Sequence, residues 1–456
     1  MKTETIAAIA SAMTNSGIGI IRISGEDAFD VIDKIYRSQK GNKLLSQCKS
    51  HTIHYGHIYD EDEIIDEVMA VRMKAPRSYT CENVVEINCH GGQLMTNRVL
   101  QLVLKNGARM AQRGEFTKRA FMNGRIDLSQ AEAVIDIING NSEKALDVSL
   151  NQLRGDLKDM VKDFKKTLLD IAAHVNVVLD YPEEGIEDPI PQELLDDLKK
   201  VHEKATRLIE SYDKGKVLKD GIKTVIVGKP NVGKSTLLNA LLREDRAIVT
   251  EVAGTTRDTI EEKIMIKGIP LILVDTAGIR KTDDIVESIG VQKSRDLISK
   301  SDLVLMLLDI TKDISEDDKE IIDYIKKNNK KVIYILNKND KPGAKDFSYL
   351  GNTVSISAMK NIGIDEMEEY IYRYIAGNKV DNTGQECILN NVRHKAALEK
   401  TKQAIENMFL TIDNEMPLDL ISVDLKEALD SLSEITGEIT SEDILDHIFK
   451  SFCVGK

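Results

Sequence analysis

Hydrophobic and polar positions change their spacing several times along the chain. Up to about residue 119, short apolar runs typical of strands alternate with helical patterns and glycine turns. The strand-like runs cover 18–24 and 84–88, and the helical patterns cover 28–36 and 93–105. This mixture predicts an N-terminal α+β domain.

From Leu128 the spacing becomes helical and continues to about residue 180, with Asp127 or Ser129 as the expected N-cap. The apolar stripe that starts there consists of Leu128, Ala131, Val134, Ile135 and Ile138. The segments Y-P-E-E-G and P-I-P then break the pattern, and a charged helix is expected up to about residue 214. Helical spacing returns after residue 384, with one face formed by Leu425, Ala428, Leu429, Leu432 and Ile435.

Between about 218 and 378, apolar strands alternate with helices, which is typical of a doubly wound and mostly parallel sheet. Because helical segments flank this region, we expect an α/β domain inserted into a discontinuous all-helical domain. The predicted domains are 1–119 (N-terminal), 120–216 (first helical half), 217–379 (nucleotide domain) and 380–456 (second helical half).

Composition limits the class of protein. A chain of 456 residues is too long for one core. Its net charge of −13 argues against a general nucleic-acid coat, although a local basic patch remains open. Five cysteines without paired spacing favour a reducing cytosol, hence a cytoplasmic protein. We find no signal-peptide pattern and no apolar run long enough to cross a membrane, so no membrane association is expected.

Five motifs in order indicate a guanine-nucleotide hydrolase: G-K-P-N-V-G-K-S (228–235), G-T-T-R-D (254–258), D-T-A-G (275–278), N-K-N-D (337–340) and S-A (357–358). In the first motif, the P-loop, Gly228 and Gly233 let backbone amides turn towards phosphate. Lys234 would contact the β- and γ-phosphates and Ser235 would ligate Mg²⁺.

The remaining motifs select the base and form the switches. P-loops also occur in ATPases, but the carboxylate of Asp340 suits the two donors on the guanine edge, which adenine lacks. Ser357 and Ala358 would complete the base pocket. Thr256 is expected to close on Mg²⁺ as part of switch I, and Asp275 begins switch II.

The catalytic machinery is less clear from the residues alone. Ile279 stands where Ras-like proteins place a water-orienting glutamine, so another group must orient the water. The nearest carboxylates are Asp283, Asp284 and Glu287. Arg257 and Arg280 are either arginine fingers or solvated side chains. Asn231 is either a ligand for a monovalent cation or a turn-forming asparagine.

The whole chain resembles the MnmE (TrmE) family of tRNA modification GTPases. In its first part the resemblance rests on T-I-A-A-I-A, G-I-G-I-I-R-I-S-G, N-C-H-G-G and R-G-E-F-T-K-R-A-F-M-N-G-R-I-D-L-S-Q-A-E-A. Further on it rests on D-Y-P-E-E, the nucleotide motifs, L-S-E-I-T-G-E-I-T-S-E-D-I-L and the terminal F-C-V-G-K.

The resemblance implies a homodimer that pairs with an MnmG (GidA)-like flavoprotein, in a heterotetramer or a larger complex. Together they would install an aminomethyl or carboxymethylaminomethyl group on carbon 5 of the wobble uridine of certain tRNAs. The one-carbon unit would come from a derivative of tetrahydrofolate, either 5-formyl- or 5,10-methylenetetrahydrofolate, bound by the N-terminal domain. GTP would be the substrate, and Mg²⁺ and K⁺ the ions.

The resemblance also assigns residues. Asn231, Thr250, Val252 and Thr255 become K⁺ ligands, Ser235 and Thr256 stay Mg²⁺ ligands, and Glu287 becomes the water-positioning carboxylate. Lys234 and Asn231 are expected to act in catalysis. The GTP-contacting set is then Asn231, Val232, Gly233, Lys234, Ser235, Thr236, Thr250, Glu251, Val252, Ala253, Gly254, Thr255, Thr256, Asp275, Thr276, Ala277, Gly278, Asn337, Lys338, Asp340, Ser357, Ala358 and Met359.

The folate positions of the family fall on Arg22, Glu86, Arg125 and Lys456. A carboxylate can accept the donor edge of a pterin, and cations can hold a glutamate tail. From the residues alone, Arg22 and Glu86 are equally well polar positions on strands. Cys453 is either a thiol that acts near the folate or a buried cysteine at a helix end.

Contact with tRNA has the weakest signal. A basic stretch contains Arg109, Arg113, Lys118, Arg119 and Arg125, which are either phosphate contacts or an ordinary solvated face. A ribosome-assembly GTPase similar to Era or Der is the rival function, but its RNA-binding G-x-x-G loop in a basic context is missing from the sequence. A scaffold with vestigial hydrolysis is a third alternative, against which the intact P-loop and switch residues argue.

Overall fold

The computed structural model describes residues 4–39, 43–140, 142–181, 190–242, 262–274, 290–376 and 387–456. They divide into two units. The first unit contains 1–138, 152–201 and 400–456, and the second contains 139–151 and 202–399. The first unit therefore joins chain segments from both sides of the predicted nucleotide domain. The four predicted domain boundaries stay predictions.

A seven-stranded sheet organises the N-terminal part of the described chain, in the order β3-β4-β5-β6-β2-β1-β7. Its strands are β1 Ile6–Ile9, β2 Ile18–Ser24, β3 Tyr36–Ser38, β4 Thr52–Asp60, β5 Glu63–Met73, β6 Val84–His90 and β7 Arg109–Met110. Neighbours are antiparallel except β1 and β7. Alternate residues, such as Ile21 and Ile23 of β2, enter a core with helices α1 (Ala28–Ile35) and α2 (Gln93–Lys105). The intervening residues, including Arg22, lie on the opposite face.

The helical segments are more divided than the spacing predicts. Their helices are α3 Glu115–Met122, α4 Leu128–Asn139, α5 Glu143–Arg154, α6 Asp156–Asp180, α7 Gln192–Asp220, α12 Val392–Asp413, α13 Asp419–Thr436 and α14 Glu442–Lys450. Gly155, at φ 111°, separates α5 from α6, because a left-handed residue ends a helix. Asp127 is the cap of α4, since its Oδ1 accepts the N–H of Gln130 at 2.8 Å. Ile138 is exposed and does not join the buried stripe.

Helices distant in sequence pack together within the first unit. Helix α6 lies along α13, so the two helical segments share one core. Leu425, Ala428, Leu432 and Ile435 of α13 are buried, as their spacing predicts, and Leu429 is half-buried. A discontinuous helical domain follows from this packing.

The second unit contains a six-stranded sheet among its described residues, in the order β13-β12-β11-β8-β10-β9. The strands are β8 Ile222–Val227, β9 Glu262–Ile266, β10 Ile269–Leu273, β11 Leu303–Asp309, β12 Lys331–Asn337 and β13 Thr353–Ser355. All pairs are parallel except β9 with β10. The described helices of this region are α8 Lys234–Leu241, α9 Gly290–Lys300, α10 Glu316–Lys327 and α11 Ile364–Ala376. The carboxyl ends of β8, β11 and β12 therefore meet at one edge, where ligands bind in such sheets.

In the described part of the chain, no helix combines the length and the apolar character needed to cross a membrane.

Candidate functional site

The P-loop joins β8 to α8 through two glycines that no other residue could replace. Gly228 has φ 149°, and a Cβ there would lie 2.5 Å from the carbonyl oxygen of Leu307. Gly233 has φ 101°, and its Cβ would lie 2.3 Å from Nδ2 of Asn337. Close approach to β11 and β12 thus requires glycine at both positions. The loop is held against the strand ends that carry the base-selecting residues.

Lys234 begins α8 and its side chain folds back over the P-loop. Its Nζ donates to the carbonyl oxygens of Gly228 at 2.7 Å and of Lys229 at 2.6 Å. Burial lowers the pKa of the Lys234 amine, because the charged form loses solvation. Ser235 and Thr236 follow on the exposed first turn of the helix. A cation, a hydroxyl and a helix N-terminus therefore lie together, as phosphate binding requires.

Asn337, at the end of β12, ties the base-selecting loops to the P-loop. Its side chain is buried, its Nδ2 donates to the carbonyl of Val232 at 2.7 Å, and its Oδ1 accepts the N–H of Ala358 at 3.0 Å. One amide thereby holds three of the predicted segments in register. Because both ends of that amide are engaged inside the protein, Asn337 acts by positioning the pocket.

Asp340 presents the carboxylate that the sequence assigns to guanine. Its Oδ1 accepts the hydroxyl of Ser357 at 2.7 Å, and this bond is the main cause that lowers the pKa of Asp340. Ser357 is itself fixed by paired backbone hydrogen bonds with Ile362. Met359 lies exposed beside this loop. The carboxylate is therefore ionised and oriented before any base arrives.

Sequence analysis missed Asp309, the last residue of β11. Its Oδ2 accepts Lys338 Nζ at 2.7 Å, and the same Nζ donates to the carbonyl of Asn231 at 2.9 Å. Burial raises the pKa of Asp309, but hydrogen bonds from Lys338 and Thr311 outweigh it and lower the pKa to about 2. The available signal was an acidic residue ending the otherwise apolar strand L-V-L-M-L-L-D. Asp309 fixes Lys338 between the base loop and the P-loop.

Several predicted residues lie outside the described part of the chain. They are the switch I and K⁺-loop residues Thr250, Glu251, Val252, Ala253, Gly254, Thr255 and Thr256, the switch II residues Asp275, Thr276, Ala277 and Gly278, and Glu287 with its neighbours Asp283 and Asp284. The residues Arg257, Ile279 and Arg280 also lie outside it. Their predicted roles stay predictions.

The predicted folate positions meet on the sheet face of the first unit that α1 and α2 leave uncovered. Arg22 of β2 is directly opposite Glu86 of β6, and its Nε donates to Glu86 Oε1 at 2.8 Å. The side chains are 16% and 22% exposed, so the ion pair is mostly shielded yet reachable. A partly desolvated pair is stronger than a surface one.

The C-terminal tail reaches the same face. Nη1 of Arg22 donates to the carbonyl of Gly455 at 3.3 Å, so the residue that precedes Lys456 contacts the ion pair. Gly455 has φ 98°, and a Cβ there would lie 2.3 Å from the carbonyl oxygen of Ile9. The tail can therefore pack against β1 in this way only with glycine at this position. Cys453 is exposed, and its expected alternative as a buried cysteine is wrong because it lies beyond the end of α14.

Tyr79, which sequence analysis missed, links Arg125, the remaining predicted folate position, to Arg22. The guanidinium carbons of Arg125 and Arg22 lie 4.8 and 5.6 Å from the centre of the Tyr79 ring. Arg125 Nη1 also donates to the carbonyl of Tyr79 at 3.3 Å, and Tyr79 Oη lies 2.9 Å from Thr117 Oγ1. Two cations over one aromatic ring bring together a residue of β2 and a residue that follows α3.

The basic stretch proposed for tRNA phosphate is largely paired with acids. Arg109 contacts Glu115 at 2.6 Å, and Lys118 contacts Asp446 at 2.8 Å. Arg119 contacts Glu82 at 3.0 Å and Glu115 at 2.9 Å. These contacts favour the alternative in which this stretch is a charge-balanced surface.

Comparisons with known proteins identify the family to which the chain belongs. A family model described as GTP-binding protein TrmE N-terminus matches residues 5–125, and a model of the MnmE helical domain matches residues 128–453. Curated relatives from Alkaliphilus oremlandii and Lachnoclostridium phytofermentans, each called tRNA modification GTPase MnmE, are both 48% identical. The matches cover 99% and 100% of both chains, respectively. The chain belongs to the MnmE family.

MnmE membership confirms the expected fold class, since the N-terminal and helical family models account for the segments that flank the nucleotide domain. A relative from Clostridioides difficile is 46% identical over 99% of both chains. Among solved structures, Era in complex with MgGDPNP and a segment of 16S ribosomal RNA is 31% identical, covering 40% of this chain and 66% of that chain. Its TM-score of 0.27 is too low to support a structural assignment.

Proposed function

We propose that this chain is a potassium-activated GTP hydrolase that acts in tRNA modification with a flavoprotein partner similar to MnmG. GTP hydrolysis in tRNA modification is the activity for which its full-length relatives are named. The observation that carries the proposal is the Asn337 amide, which joins the P-loop at Val232 to the base loop at Ala358. This link sets a phosphate cradle and an oriented Asp340 carboxylate at one sheet edge.

The described residues suit the proposed chemistry. Asp340 would accept the two donors of guanine, and the P-loop amides with Lys234 would hold the phosphates. Lys234 would exchange its two carbonyl partners for phosphate oxygens when GTP binds. Ser235, on the first turn of α8, offers the oxygen ligand that Mg²⁺ prefers, with Thr256 as the second proposed ligand. Mg²⁺ held by these residues would neutralise charge on the phosphates, and Glu287 is the proposed water-positioning group.

The potassium proposal concerns Asn231, together with Thr250, Val252 and Thr255. Asn231 is exposed in the P-loop at φ 62°, and its carbonyl is held by Lys338 at 2.9 Å. A monovalent cation held by the exposed Asn231 would take the place of an arginine finger.

GTP turnover at equal ionic strength tests the potassium proposal. We expect hydrolysis to be at least about tenfold faster in KCl than in NaCl, because an arginine finger in that position is worth far more. Asn231→Ala should abolish the difference. Asn239→Ala, on the exposed face of α8, is the matched control and should keep it. Equal rates in the two salts with the unaltered protein would refute potassium activation.

The folate proposal rests on the meeting of Arg22, Glu86, Arg125 and the tail that ends in Lys456. The carboxylate would face the pterin donors, and the cations would face the glutamate tail of 5-formyl- or 5,10-methylenetetrahydrofolate. The bound one-carbon unit would be delivered to carbon 5 of the wobble uridine. We also propose that two copies of the chain form a homodimer. This homodimer would bind the flavoprotein in a heterotetramer or a larger complex.

Nucleoside analysis of tRNA tests the modification role. In cells that lack this protein, we expect wobble uridines without the aminomethyl or carboxymethylaminomethyl group, restored by the unaltered gene. Restoration should fail with Lys234→Ala, because the modification is proposed to depend on GTP hydrolysis. Normal wobble uridines in the deletion strain would refute the proposal.

A further inference from the structure

Helix α6 (Asp156–Asp180) keeps its positive and negative side chains on different sides over its first turns. With about 3.6 residues per turn, positions that differ by four lie on the same side of a helix. Lys158, Lys162 and Lys166 follow that spacing and form one side, which we call the lysine flank. Around the helix, this flank lies between the aspartates Asp156, Asp159, Asp163 and Asp170 and the buried residues Leu157, Val161, Phe164 and Leu168. Helix α6 therefore presents a strip of positive charge next to the core.

The amines of the lysine flank have no anionic partner in the part of the chain that the structure describes. Lys162 and Lys166 are exposed and Lys158 is half-buried, and none of the three amines forms an ion pair or a hydrogen bond with a described residue. Lys165, on the same side of the helix, is neutralised, because its Nζ contacts Glu438 Oε2 at 2.5 Å. The three amines of the flank are therefore available to an external anion.

Unpaired lysines at this spacing reduce the stability of the helix. Like charges four residues apart repel each other and destabilise a helix. The chain has 75 acidic and 62 basic residues, so carboxylates that could neutralise the flank are not scarce. In the basic stretch 109–125, by contrast, Arg109, Lys118 and Arg119 all contact carboxylates. An uncompensated positive flank indicates a function that needs the charge, because proteins depart from favourable local patterns mainly at functional sites.

The length and the chemistry of the lysine flank suit a linear polyanion. Lys158 and Lys166 are about 12 Å apart along the helix axis, so a small anion can contact only part of the flank. A double-stranded nucleic acid carries one phosphate charge for about every 1.7 Å of its axis and can contact all three amines. Lysine contacts phosphate as a point charge on a flexible stem. Transfer RNA, which the names of the full-length relatives contain, is a polyanion of this kind.

We propose that the lysine flank of α6 binds the sugar–phosphate backbone of the tRNA substrate. This inference rests on the proposed role in tRNA modification and assigns the RNA contact to a surface outside the basic stretch 109–125. Phosphate contacts of this kind position a nucleic acid without selecting its sequence, and each of them releases counterions. Binding should therefore weaken steeply as the salt concentration rises.

Filter binding of a tRNA transcript to the full-length protein, at about 50 and about 200 mM KCl, tests this inference. Lys158→Gln/Lys162→Gln/Lys166→Gln should bind at least about tenfold more weakly at the lower salt concentration. The slope of log affinity against log salt concentration should become shallower by about 2–3, because three phosphate contacts are lost. The melting temperature of this flank variant should equal or exceed that of the unaltered protein, because glutamine keeps the helix propensity of lysine and the repulsion is removed.

The matched control removes three lysines that are already paired with carboxylates. Lys105→Gln/Lys199→Gln/Lys200→Gln changes the net charge by the same amount, and the partners of these lysines are Asp60, Asp196 and Asp197. This control should bind the transcript within about twofold of the unaltered protein, because affinity depends on the phosphate contacts that a surface makes.

Glu438→Gln acts in the opposite direction. It releases Lys165, which lies on the same side of α6 as the lysine flank, from its ion pair. One more unpaired amine beside the flank should strengthen binding of the transcript about two- to threefold at the lower salt concentration. Unchanged or weaker binding by this variant would contradict the inference.

The outcomes separate this inference from the proposed function. If the unaltered protein does not bind the transcript, or if the flank variant and the control bind it equally well, the lysine flank is not an RNA-binding surface. Nucleoside analysis of tRNA still tests the modification role in either case, so the two proposals can fail separately. A flank variant that keeps the transcript but loses the flavoprotein, or that melts at a lower temperature, would also overturn the inference, because the flank would then belong to a protein interface or to the folded core.

Discussion

The nucleotide site and the proposed folate site are built in different ways. The nucleotide site uses short contiguous loops, and contacts such as those of Asn337 and Lys234 join a side chain to a backbone carbonyl or N–H. The folate face, which is the side of the N-terminal sheet that carries Arg22 and Glu86, brings together separate strands and the C-terminal tail through contacts such as that of Arg22 with Glu86. A loop motif carries its geometry in its own residues, whereas a sheet face obtains its geometry from strand register. The two sites should therefore respond differently to substitution.

The largest expected effect is at Asp340. Asp340→Asn should weaken GTP binding at least about 100-fold, because the carboxylate that accepts two guanine donors becomes an amide. Affinity for xanthosine triphosphate should rise, since xanthine presents a carbonyl oxygen to the new N–H₂ donor. Fluorescent-nucleotide titration measures both constants.

The matched control for Asp340 is Asp346→Asn, because Asp346 is an exposed aspartate that accepts the N–H of Ser348. Its GTP affinity should stay unchanged. If Asp340→Asn kept full affinity for GTP, the N-K-N-D loop would not select the base, and the motif would not predict the nucleotide site correctly.

An intermediate effect, on the free energy of unfolding, is expected at Glu115, the first residue of α3. Burial raises the pKa of this carboxyl, but hydrogen bonds from Arg109, Arg119 and the N–H of Gln112 lower it to about 2. Because the folded pKa lies below the ordinary value of 4.5, this stabilisation is present above pH 4.5 and is lost as pH falls towards 2. Glu115→Gln should lower the free energy of unfolding by about 1–2 kcal/mol at pH 7, allowing for solvent screening.

Urea unfolding at pH 7 and at pH 2–3 measures the Glu115 effect, and the difference from the unaltered protein should shrink in acid. Glu427→Gln, on the exposed side of α13, should change neither value. A constant difference at both pH values would show that the Arg109–Glu115–Arg119 network does not hold α3, which carries Phe116 and Thr117, against the folate face.

The smallest expected effect is at Gly455. A Cβ there would collide with the carbonyl of Ile9, so Gly455→Ala should unseat the tail and its contact with Arg22. We expect 5-formyltetrahydrofolate to bind roughly three- to tenfold more weakly, as for one lost charge-assisted contact. GTP turnover should not change.

Gly343→Ala is the control for backbone strain alone. Gly343 has a similar φ of 93°, but an added Cβ there would have nothing within 4 Å and so would not collide with another atom. That variant should bind folate normally. Equal affinity of Gly455→Ala and the unaltered protein would show that the tail makes no contribution to the site.

The sequence by itself predicted strands β2 and β6, helix α2 and the motifs of the nucleotide site. Period-two runs became β2 and β6, and the helical pattern at 93–105 became α2 with those limits, because burial of one face leaves little choice of structure. The P-loop and the N-K-N-D loop were predictable because each is a short contiguous motif of distinctive residue types, although the contact of Asn337 with Val232 joins residues 105 positions apart. The family resemblance added the folate positions, which residue spacing alone could not distinguish from ordinary polar strand positions.

Only the tertiary structure decided which distant residues meet. Glu86 meets Arg22 through strand register, Tyr79 meets it from the loop between β5 and β6, and Gly455 meets it where the C-terminal tail returns to the sheet, so no local pattern predicts these contacts. Asp309 is similar, since its role appears only when β11 and β12 align Lys338 beside it. The division of the helical region at Gly155 was also missed, because hydrophobic spacing continues across a break that a single left-handed residue makes. Contacts between residues far apart in sequence depend on how sheets and helices pack, which side-chain spacing along one segment does not encode.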